Sequence, residues 1–294
     1  MAEQKLLRSW MFVPGSRQRM IDKALGLAGV DAIMLDIEDG VAPAEKETAR
    51  RLIAASLATP RPAGRSPARY VRINAIGHER MDADLAAVLV PGLDGLALPK
   101  VETPGQIETV ERIIGERGVR MGAAAGALRL LVAIESPRGL FQAAAIAAAS
   151  PRVIGLMFGA EDFGREMGLP SRREGEARDL LYARSAMATA AAAANVQAVD
   201  GVWPDLQDME GLHRFALQAR RLGFSGMSLI HPSQIDPINE VFTPGADELE
   251  YCRQVIAAFE AAQARGEGSI AFGGQLIDLP IVERARRTLA LGAA

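Results

Sequence analysis

The stretch VAIESPRGL, residues 132–140, has the composition of a buried strand that ends abruptly in a carboxylate. Val132, Ala133 and Ile134 are apolar, and strands that are apolar on both faces are typical of parallel sheets covered by helices. Pro137 follows shortly after Glu135, and proline both stops a strand and is common at the first position of a helix. The stretch therefore predicts a strand that leads directly into a helix, with Glu135 at the junction.

The same pattern recurs along most of the chain, which has 294 residues. Segments with apolar residues three and four positions apart, typical of amphipathic helices, separate the apolar runs. The predicted strands begin at Ser9, Ala32, Tyr70, Leu96, Leu130, Val153, Val196 and Gly226. Eight strand–helix units in roughly 230 residues predict an α/β protein with a (β/α)₈ TIM barrel. A doubly wound open sheet is the alternative.

Two regions differ in pattern, and we predict a catalytic barrel over residues 1–243 and a C-terminal helical extension over residues 244–294. Pro244 and Gly266 bound a predicted helix. The glycine-rich segment SIAFGGQLIDLP, residues 269–280, is expected to be a loop, and a last helix follows it. The extension either packs on its own barrel or reaches a neighbouring subunit.

Composition excludes several classes of function. The chain is 49% hydrophobic with a net charge of -3, and a nucleic-acid partner is not expected without a clustered basic face. Cys252 is the one cysteine, so no intrachain disulfide can form. No uninterrupted apolar run approaches the length of a membrane span or a signal peptide. We therefore expect a cytoplasmic protein with neither a membrane nor a nucleic-acid partner.

The polar residues that follow the predicted strands indicate where the chemistry lies, because the active site of a TIM barrel is at the carboxyl ends of its strands. These residues are Arg17, Asp36, Glu38, Asp39, Arg72, Asn74, Lys100, Glu102, Glu135, Ser136, Glu161, Asp162, Asp200 and His231. So many carboxylates in one mouth repel each other unless cations compensate them. The barrel mouth is therefore expected to bind a cation, to contain ion pairs, or both.

Glu135 and Asp162 are the strongest candidates for metal ligands because they are predicted to end neighbouring strands. Carboxylate oxygens with room for water and substrate suit Mg²⁺, and Mn²⁺ is possible. The three histidines are far apart in the sequence and do not have the spacing of a zinc site. The structural alternative is a salt bridge of these carboxylates with Arg72 or Lys100.

Two basic residues lie among these acids. Arg72 is flanked by Val71 and Ile73 in a buried strand, so it requires an anionic partner. That partner is Asp36, Glu38, an anionic substrate, or a combination of these. Lys100 occupies a position typical of Schiff-base lysines, but the nearby acids keep a lysine charged and favour an ion pair.

Seven short motifs occur in order over residues 12–235 and together resemble one family. They are FVPGSR, LDIEDGVAPAEKETAR, VRIN, LPKVETPGQI, AIESPRGL, FGAEDF and IHPSQI. This set is similar to the citrate lyase β-subunit-like group of CoA-ester lyases, which includes malyl-CoA and citramalyl-CoA lyases within the HpcH/HpaI aldolase superfamily. The resemblance implies a (β/α)₈ barrel, a Mg²⁺-dependent carbon–carbon lyase, and a homotrimer or dimer of trimers.

The resemblance also implies roles for individual residues. Glu135 and Asp162 correspond to the metal ligands and, with Arg72, to the substrate-binding residues. Arg72 also corresponds to a catalytic residue, beside the acidic Asp36 and Glu38. Two further basic residues, Arg17 and Lys46, are expected to contact the phosphates of coenzyme A. In the malyl-CoA lyase branch a C-terminal aspartate reaches the neighbouring active site, which implies a catalytic role for Asp278.

The expected reaction cleaves or forms a 3-hydroxy-dicarboxylic acyl-CoA, such as malyl-CoA or citramalyl-CoA, giving a 2-keto acid and acetyl-CoA or another acyl-CoA. The C-terminal extension is expected to favour lyases that act on free CoA thioesters. The alternatives are a citryl-CoA lyase subunit working in a complex, a metal-dependent aldolase acting on free 2-keto acids, and a barrel with only a binding role. The sequence does not identify the acyl group.

Overall fold

The computed structural model describes residues 6–61, 66–117, 124–172 and 175–293. The chain forms two compact units, one spanning Leu7–Asn239 and the other containing residues 240–293.

The first unit is built on a closed barrel of eight parallel strands in sequential order. Because β1 pairs with β8 as well as with β2, the sheet has no free edge. The strands are β1 Ser9–Pro14, β2 Ala32–Asp36, β3 Ala68–Arg72, β4 Gly95–Leu98, β5 Arg129–Ile134, β6 Val153–Phe158, β7 Gln197–Asp200 and β8 Gly226–Leu229. Each begins within two residues of the predicted start. The predicted TIM barrel is confirmed, and the open sheet is excluded.

Helices follow every strand of the barrel. They are α1 Gln18–Leu25, α2 Lys46–Leu57, α3 Met81–Val88, α4 Pro104–Arg117, α5 Ala124–Ala127, α6 Pro137–Ala148, α7 Ala160–Met167, α8 Leu181–Ala193, α9 Met209–Leu222 and α10 Ile235–Phe242. The start of α6 shows how the sequence sets these junctions. Pro137 occupies its first turn, and the Ser136 hydroxyl accepts a hydrogen bond from the N–H of Gly139 at 3.0 Å. This is the N-cap arrangement that serine favours.

The barrel interior changes from apolar to polar along the strands. Successive side chains of a strand point to opposite faces, and the inward set on β2 and β3 includes Met34 and Tyr70, which belong to the buried apolar core. Two residues later the same faces present Asp36 and Arg72. The carboxyl ends of the strands are therefore the polar end of a barrel that is otherwise filled with apolar side chains.

The second unit has its own small core. It contains α11 Ala246–Gln263, α12 Leu279–Ala293 and an antiparallel pair, β9 Ile270–Phe272 and β10 Gln275–Ile277. Its buried residues are Cys252, Val255, Phe259, Ile277, Val282 and Ala285.

The loop predicted for residues 269–280 was wrong, because this segment contains a β-hairpin. Gly273 and Gly274 connect its strands with φ values of 56° and 78°. Such positive φ values are readily available to glycine and match the tight turns of two-residue hairpins. The sequence pattern failed because the two strands are only three residues long.

Among the residues that the structure describes, no helix is both long and apolar enough to cross a membrane.

Candidate active site

A cavity of about 300 Å³ opens at the carboxyl ends of the barrel strands. Its lining consists of Phe12, Val13, Pro14, Asp36, Gly40, Arg72, Glu135, Met157, Phe158, Gly159, Ala160, Glu161, Asp162, Gly201, Val202, Ser228 and Ile230. Five of the polar residues predicted at strand ends are thereby brought to one cavity: Asp36, Arg72, Glu135, Glu161 and Asp162. Its other walls are largely apolar, so charge is concentrated on one side.

Glu135 lies directly after β5 and is only 7% exposed. Its Oε2 accepts a hydrogen bond from the backbone N–H of Lys100 at 3.1 Å. Burial raises the pKa of Glu135 to about 7; the cations of Arg72 and Lys100 oppose this rise, and the charges of Glu38 and Asp162 add to it. A buried carboxyl group with a raised pKa at a cavity is typical of functional sites.

Gly159 provides the space that Glu135 occupies. A Cβ atom at this position would lie 2.3 Å from Cγ and 2.7 Å from Oε1 of Glu135. Gly159 directly follows β6, and its φ of -95° is open to any residue. The requirement for glycine is therefore a matter of space rather than of backbone conformation.

Asp162 lies in the first turn of α7 rather than on the strand that precedes it. The sequence predicted that Asp162 ends a strand, but the structure places it in the helical turn that follows. It still lines the cavity. Its carboxylate pairs with Arg165 on the same helix at 2.6 Å. A helix N-terminus carries partial positive charge that stabilises carboxylates in its first turn.

Arg72 is held by two carboxylates of the β2 segment. Its Nε and Nη2 atoms donate to Oδ1 and Oδ2 of Asp36, both at 2.7 Å, and Nη1 lies 3.1 Å from Oε2 of Glu38. Burial acts to lower the pKa of Arg72, but the hydrogen bonds and charge of Asp36 outweigh it and hold that pKa above its ordinary value. The guanidinium carbon also lies 4.8 Å from the ring centre of Phe12. The predicted pairing of Arg72 with Asp36 and Glu38 is confirmed.

The segment after β2 is fixed by its own hydrogen bonds. Asp36 accepts from the backbone N–H groups of Glu38 and Gly40, each at 2.8 Å. Lys46 donates to the carbonyl oxygens of Ile37 and Glu38 at 2.6 and 2.7 Å. These contacts orient Asp36 and Glu38 towards Arg72.

Lys46 was expected to contact coenzyme A, and the structure does not support that role. Its side chain is buried, and besides the two carbonyl oxygens its ammonium group bonds Oδ1 of Asn74 at 3.1 Å. An ammonium group has three donors, so all of them are already used. Burial lowers the pKa of Lys46, and Asp36 and Glu38 oppose that shift.

Lys100 contacts both Glu135 and the acidic residues Glu38 and Asp39 that follow β2. Its ammonium group lies 2.5 Å from Oε1 of Glu38 and 2.9 Å from Oδ2 of Asp39, which confirms the predicted ion pair. Burial acts to lower the pKa of Lys100, but the bonds to Asp39 and Glu38 outweigh it and raise that pKa. A Schiff base, which requires a neutral amine, is therefore disfavoured.

The remaining predicted residues lie elsewhere. Arg17 is exposed and pairs with Glu45 at 2.9 Å. Asp278 belongs to the second unit, where its carbonyl oxygen accepts the N–H groups of Ile281 and Val282 at the start of α12. Asp200 does not line the cavity and instead pairs with the buried Arg184 at 2.6 Å. Position at a strand end therefore does not by itself assign a residue to the cavity.

Sequence reasoning missed Gly159 and Ser228, which both line the cavity. The signal for Ser228 was available: it is a hydroxyl on an otherwise apolar strand. The motif FGAEDF includes Gly159 but indicated no role for it, because that role depends on a residue of another strand.

The donor set suits a hard divalent cation. No group of three or more histidine, cysteine, aspartate or glutamate side chains arranged to hold a metal ion occurs within the described part of the chain. Glu135 and Asp162 offer oxygen atoms to one cavity, and Mg²⁺ characteristically binds through one or two carboxylates while water and substrate complete its coordination. The chemistry of the residues present therefore fits Mg²⁺.

Residues 8–232 match the sequence profile of the HpcH/HpaI aldolase/citrate lyase family. The chain belongs to this family. It is 39% identical over 294 residues to the citrate lyase subunit beta of Leuconostoc mesenteroides subsp. cremoris, covering 100% of this chain and 96% of the relative. It is 36% identical to a (3S)-malyl-CoA thioesterase of Cereibacter sphaeroides over 98% of this chain and 95% of that protein.

Among solved structures, the CitE protein of Mycobacterium tuberculosis in complex with magnesium, acetoacetate and coenzyme A is similar with a TM-score of 0.79. That likeness has 32% sequence identity and covers 98% of each chain. The citrate lyase β-like members of the HpcH/HpaI family are lyases that act on CoA esters, and this chain is a carbon–carbon lyase of that class.

The alignment with citrate lyase subunit beta includes the C-terminal extension, since it covers 100% of this chain. The extension therefore does not distinguish lyases of the HpcH/HpaI family that act on free CoA thioesters from citrate lyase subunits. The prediction that the extension favours lyases acting on free CoA thioesters was wrong.

Proposed function

We propose that the protein is a Mg²⁺-dependent lyase for acyl thioesters whose C3 atom carries both a hydroxyl and a carboxylate group, malyl-CoA and citramalyl-CoA among them. The C2–C3 bond is cleaved to a 2-keto acid and the enolate of acetyl-CoA or another acyl-CoA, or is formed in the opposite direction. The observation that carries this proposal is the joint position of Glu135 and Asp162 in one cavity with Arg72.

Glu135 and Asp162 would hold the metal ion. When bound, Mg²⁺ supplies Lewis-acid chemistry that acidifies the substrate hydroxyl and offsets the charge of the keto acid. The solved CitE complex contains magnesium together with coenzyme A, which supports both groups for this chain.

Arg72 stabilises the negative charge that develops as the bond breaks. Of the five N–H donors of a guanidinium group, the contacts to Asp36 and Glu38 use three. Two donors remain for an oxygen of the substrate. Because Asp36 and Glu38 fix the guanidinium beforehand, little reorganisation accompanies the reaction, and such preorganised donors supply much of the catalysis in enzymes.

The size of the cavity limits which part of the substrate it encloses. About 300 Å³ is at the low end of small-molecule sites, so it accommodates the acyl group, while the bulk of coenzyme A lies outside. The apolar walls formed by Phe12, Met157 and Val202 exclude water from the enolate. This exclusion strengthens the electrostatic effect of Arg72.

The C3 hydroxyl loses its proton as the C2–C3 bond breaks and the keto group forms, and C2 must gain a proton to convert the enolate into the acyl-CoA, so the two transfers balance. We infer that Asp278 donates the proton to C2, in a homo-oligomer in which the C-terminal unit of one subunit completes the cavity of a neighbour. A trimer or a dimer of trimers is the expected assembly. A cyclic assembly of this kind repeats the same head-to-tail contact around a closed ring.

A second candidate is a citryl-CoA lyase acting as a subunit of a larger complex. It is favoured by the 39% identity to a citrate lyase subunit beta. Citryl-CoA has the same C3 hydroxyl and carboxylate and the same scissile bond, and differs in its C3 substituent. The two candidates therefore use the same residues and differ in substrate and assembly.

The direct test is incubation of the protein and Mg²⁺ with malyl-CoA, citramalyl-CoA and citryl-CoA, followed by mass identification of the products. Lyase activity yields acetyl-CoA and a keto acid, whereas thioester hydrolysis yields free coenzyme A and a hydroxy acid. Asp162→Asn and a sample treated with EDTA are the matched controls. Hydrolysis alone, or cleavage that persists in EDTA, contradicts the proposal, and cleavage of hydroxy-keto acids without coenzyme A indicates an aldolase instead.

A further inference from the structure

Ser228 has an unusual position in the barrel. It is the penultimate residue of β8, lines the cavity and is only 1% exposed. Its Oγ has no hydrogen-bond partner among the residues that the structure describes. A buried hydroxyl without a hydrogen-bond partner destabilises a fold. The partner of this hydroxyl is therefore expected to belong to a bound molecule rather than to the protein.

The described residues around Ser228 offer no hydrogen-bond partner for its hydroxyl. Its register partner on β1 is Trp10, whose indole N–H is used by the carbonyl oxygen of Leu7 at 2.9 Å. On the neighbouring strands, Val199 belongs to the buried apolar core and Phe12 packs against that core. The hydroxyl is thus a single polar group in an apolar part of the cavity wall.

Ser228 lies below the rim of the cavity. Ile230, the next residue on the same face, is 42% exposed, whereas Ser228 is 1% exposed. Two residues of a strand span roughly 6–7 Å. Glu135 directly follows its strand, as Ile230 follows β8. Ser228 therefore belongs to the floor, below the level of the carboxylates.

The part of the substrate that reaches this floor follows from the direction of entry. Coenzyme A is too large for the cavity and remains at the mouth, so the thioester lies towards the rim. The C3 hydroxyl and carboxylate are directed to Glu135, Asp162 and Arg72. The remaining group on C3 is the one that extends to the floor.

We propose that Ser228 is a specificity-determining residue that donates a hydrogen bond to an oxygen atom of the C3 substituent. It selects acyl groups whose substituent ends in a carboxylate, as in citryl-CoA, over those that end in a methyl group, as in citramalyl-CoA. This inference rests on the proposed function for the orientation of the substrate. The physical reason is that only an oxygen-bearing substituent gives the buried hydroxyl a partner, as in sites that discriminate through a substrate hydrogen bond.

The test compares wild type, Ser228→Ala and Ser228→Thr in the full-length protein with Mg²⁺. Binding of oxaloacetate and of pyruvate is measured by calorimetry, because these keto acids differ in the substituent and require no turnover. The alanine variant is expected to bind oxaloacetate about tenfold more weakly, equivalent to about 1.4 kcal/mol, with pyruvate unchanged. Threonine, which retains the hydroxyl, is expected to restore oxaloacetate binding.

The matched control is Ser56→Ala, which removes a buried hydroxyl on α2 that bonds the carbonyl oxygen of Leu52 at 2.8 Å. This change is expected to alter stability without changing either affinity. Equal weakening of both keto acids in Ser228→Ala, or a wild type with no preference for oxaloacetate, overturns the role of Ser228.

Cleavage assays separate this inference from the proposed function. The ratio of kcat/KM for citryl-CoA to that for citramalyl-CoA is expected to fall about tenfold in Ser228→Ala. A wild type that cleaves neither thioester refutes the lyase proposal, and the keto-acid affinities then still decide whether Ser228 recognises an oxygen-bearing substituent.

Discussion

The backbone N–H of Lys100 donates to Oε2 of Glu135 at 3.1 Å, from a residue whose φ is +54°. This left-handed conformation is costly for a residue with a Cβ atom. It allows one residue to hold Glu135 through its backbone and to pair with Glu38 and Asp39 through its ammonium group. Backbone strain of this kind is commonly stored at functional sites.

Two substitutions at Lys100 distinguish the effect of its backbone strain from the effect of its ammonium charge. Lys100→Met retains the strain and removes the ammonium group, whereas Lys100→Gly removes both. We expect the glycine variant to be more stable than the methionine variant by about 1 kcal/mol in urea unfolding. Both variants should lose activity because Glu38 loses a cation. A methionine variant at least as stable as the glycine variant shows that the backbone is not strained.

Gly159→Ala should displace the carboxylate of Glu135, because the added Cβ would lie 2.7 Å from Oε1. We expect lyase activity to fall about 100-fold, as expected from a misplacement of about 1 Å, with the fold retained in circular dichroism. Gly115→Ala on the exposed face of α4 meets no atom within 4 Å and serves as the control. Equal activity in the two variants argues against the position assigned to Glu135.

Glu135→Gln tests the raised pKa in metal-free protein. Burial raises the pKa of Glu135 from 4.5 to about 7, so between these values the native state keeps a proton that the unfolded state releases. The stability associated with this proton is complete below about pH 4.5 and is lost as the pH rises through 7. Glutamine remains neutral, so in EDTA the variant should be more stable than wild type at pH 8 by on the order of 3 kcal/mol, with little difference at pH 4.5.

Urea unfolding at the two pH values measures this difference, with the exposed Glu108→Gln as the control. Adding Mg²⁺ at pH 8 should stabilise the wild type and not Glu135→Gln, because the amide cannot replace the carboxylate as a ligand. A stability difference that is the same at both pH values contradicts the raised pKa.

Arg72→Lys preserves a positive charge but not the two parallel bonds to Asp36. Lysine cannot reproduce this planar fork, so we expect kcat/KM to fall by at least about 100-fold. Arg50→Lys alters another arginine–aspartate pair, with Asp84 at 2.7 Å outside the cavity, and should reduce stability with little change in kcat. Steady-state kinetics of the two variants distinguish a role in the reaction from a structural one.

Subunit mixing tests the assignment of Asp278. Glu135→Ala and Asp278→Ala are each expected to be inactive alone. If every cavity is completed by a neighbouring subunit, co-refolding equal amounts should restore roughly a quarter of wild-type activity, because that share of sites combines an intact barrel with an intact extension. Size-exclusion chromatography confirms that mixed oligomers form. An active Asp278→Ala protein excludes the role, and inactive mixtures show that any contribution of Asp278 is made within one chain.

The amino-acid sequence by itself determined the barrel and the end of the barrel that carries the chemistry. The apolar runs and helical periodicities are local properties, so they marked the starts of all eight strands to within two residues. The pair Glu135 and Pro137 located one strand end, and Arg72, flanked by apolar residues, showed that an anionic partner was required. Each of these inferences depends on residues only a few positions apart.

The tertiary structure alone decided which strand-end residues share the cavity and what each is bonded to. Asp200 is the last residue of its strand and Glu135 directly follows its own, yet Asp200 pairs with Arg184 outside the cavity, because alternate positions of a strand face opposite sides. The fit of Glu135 against Gly159, its bond to Lys100 and the unpartnered hydroxyl of Ser228 join residues far apart in the sequence. Barrel closure creates these contacts and the burial that accompanies them, so no local pattern in the chain contains them.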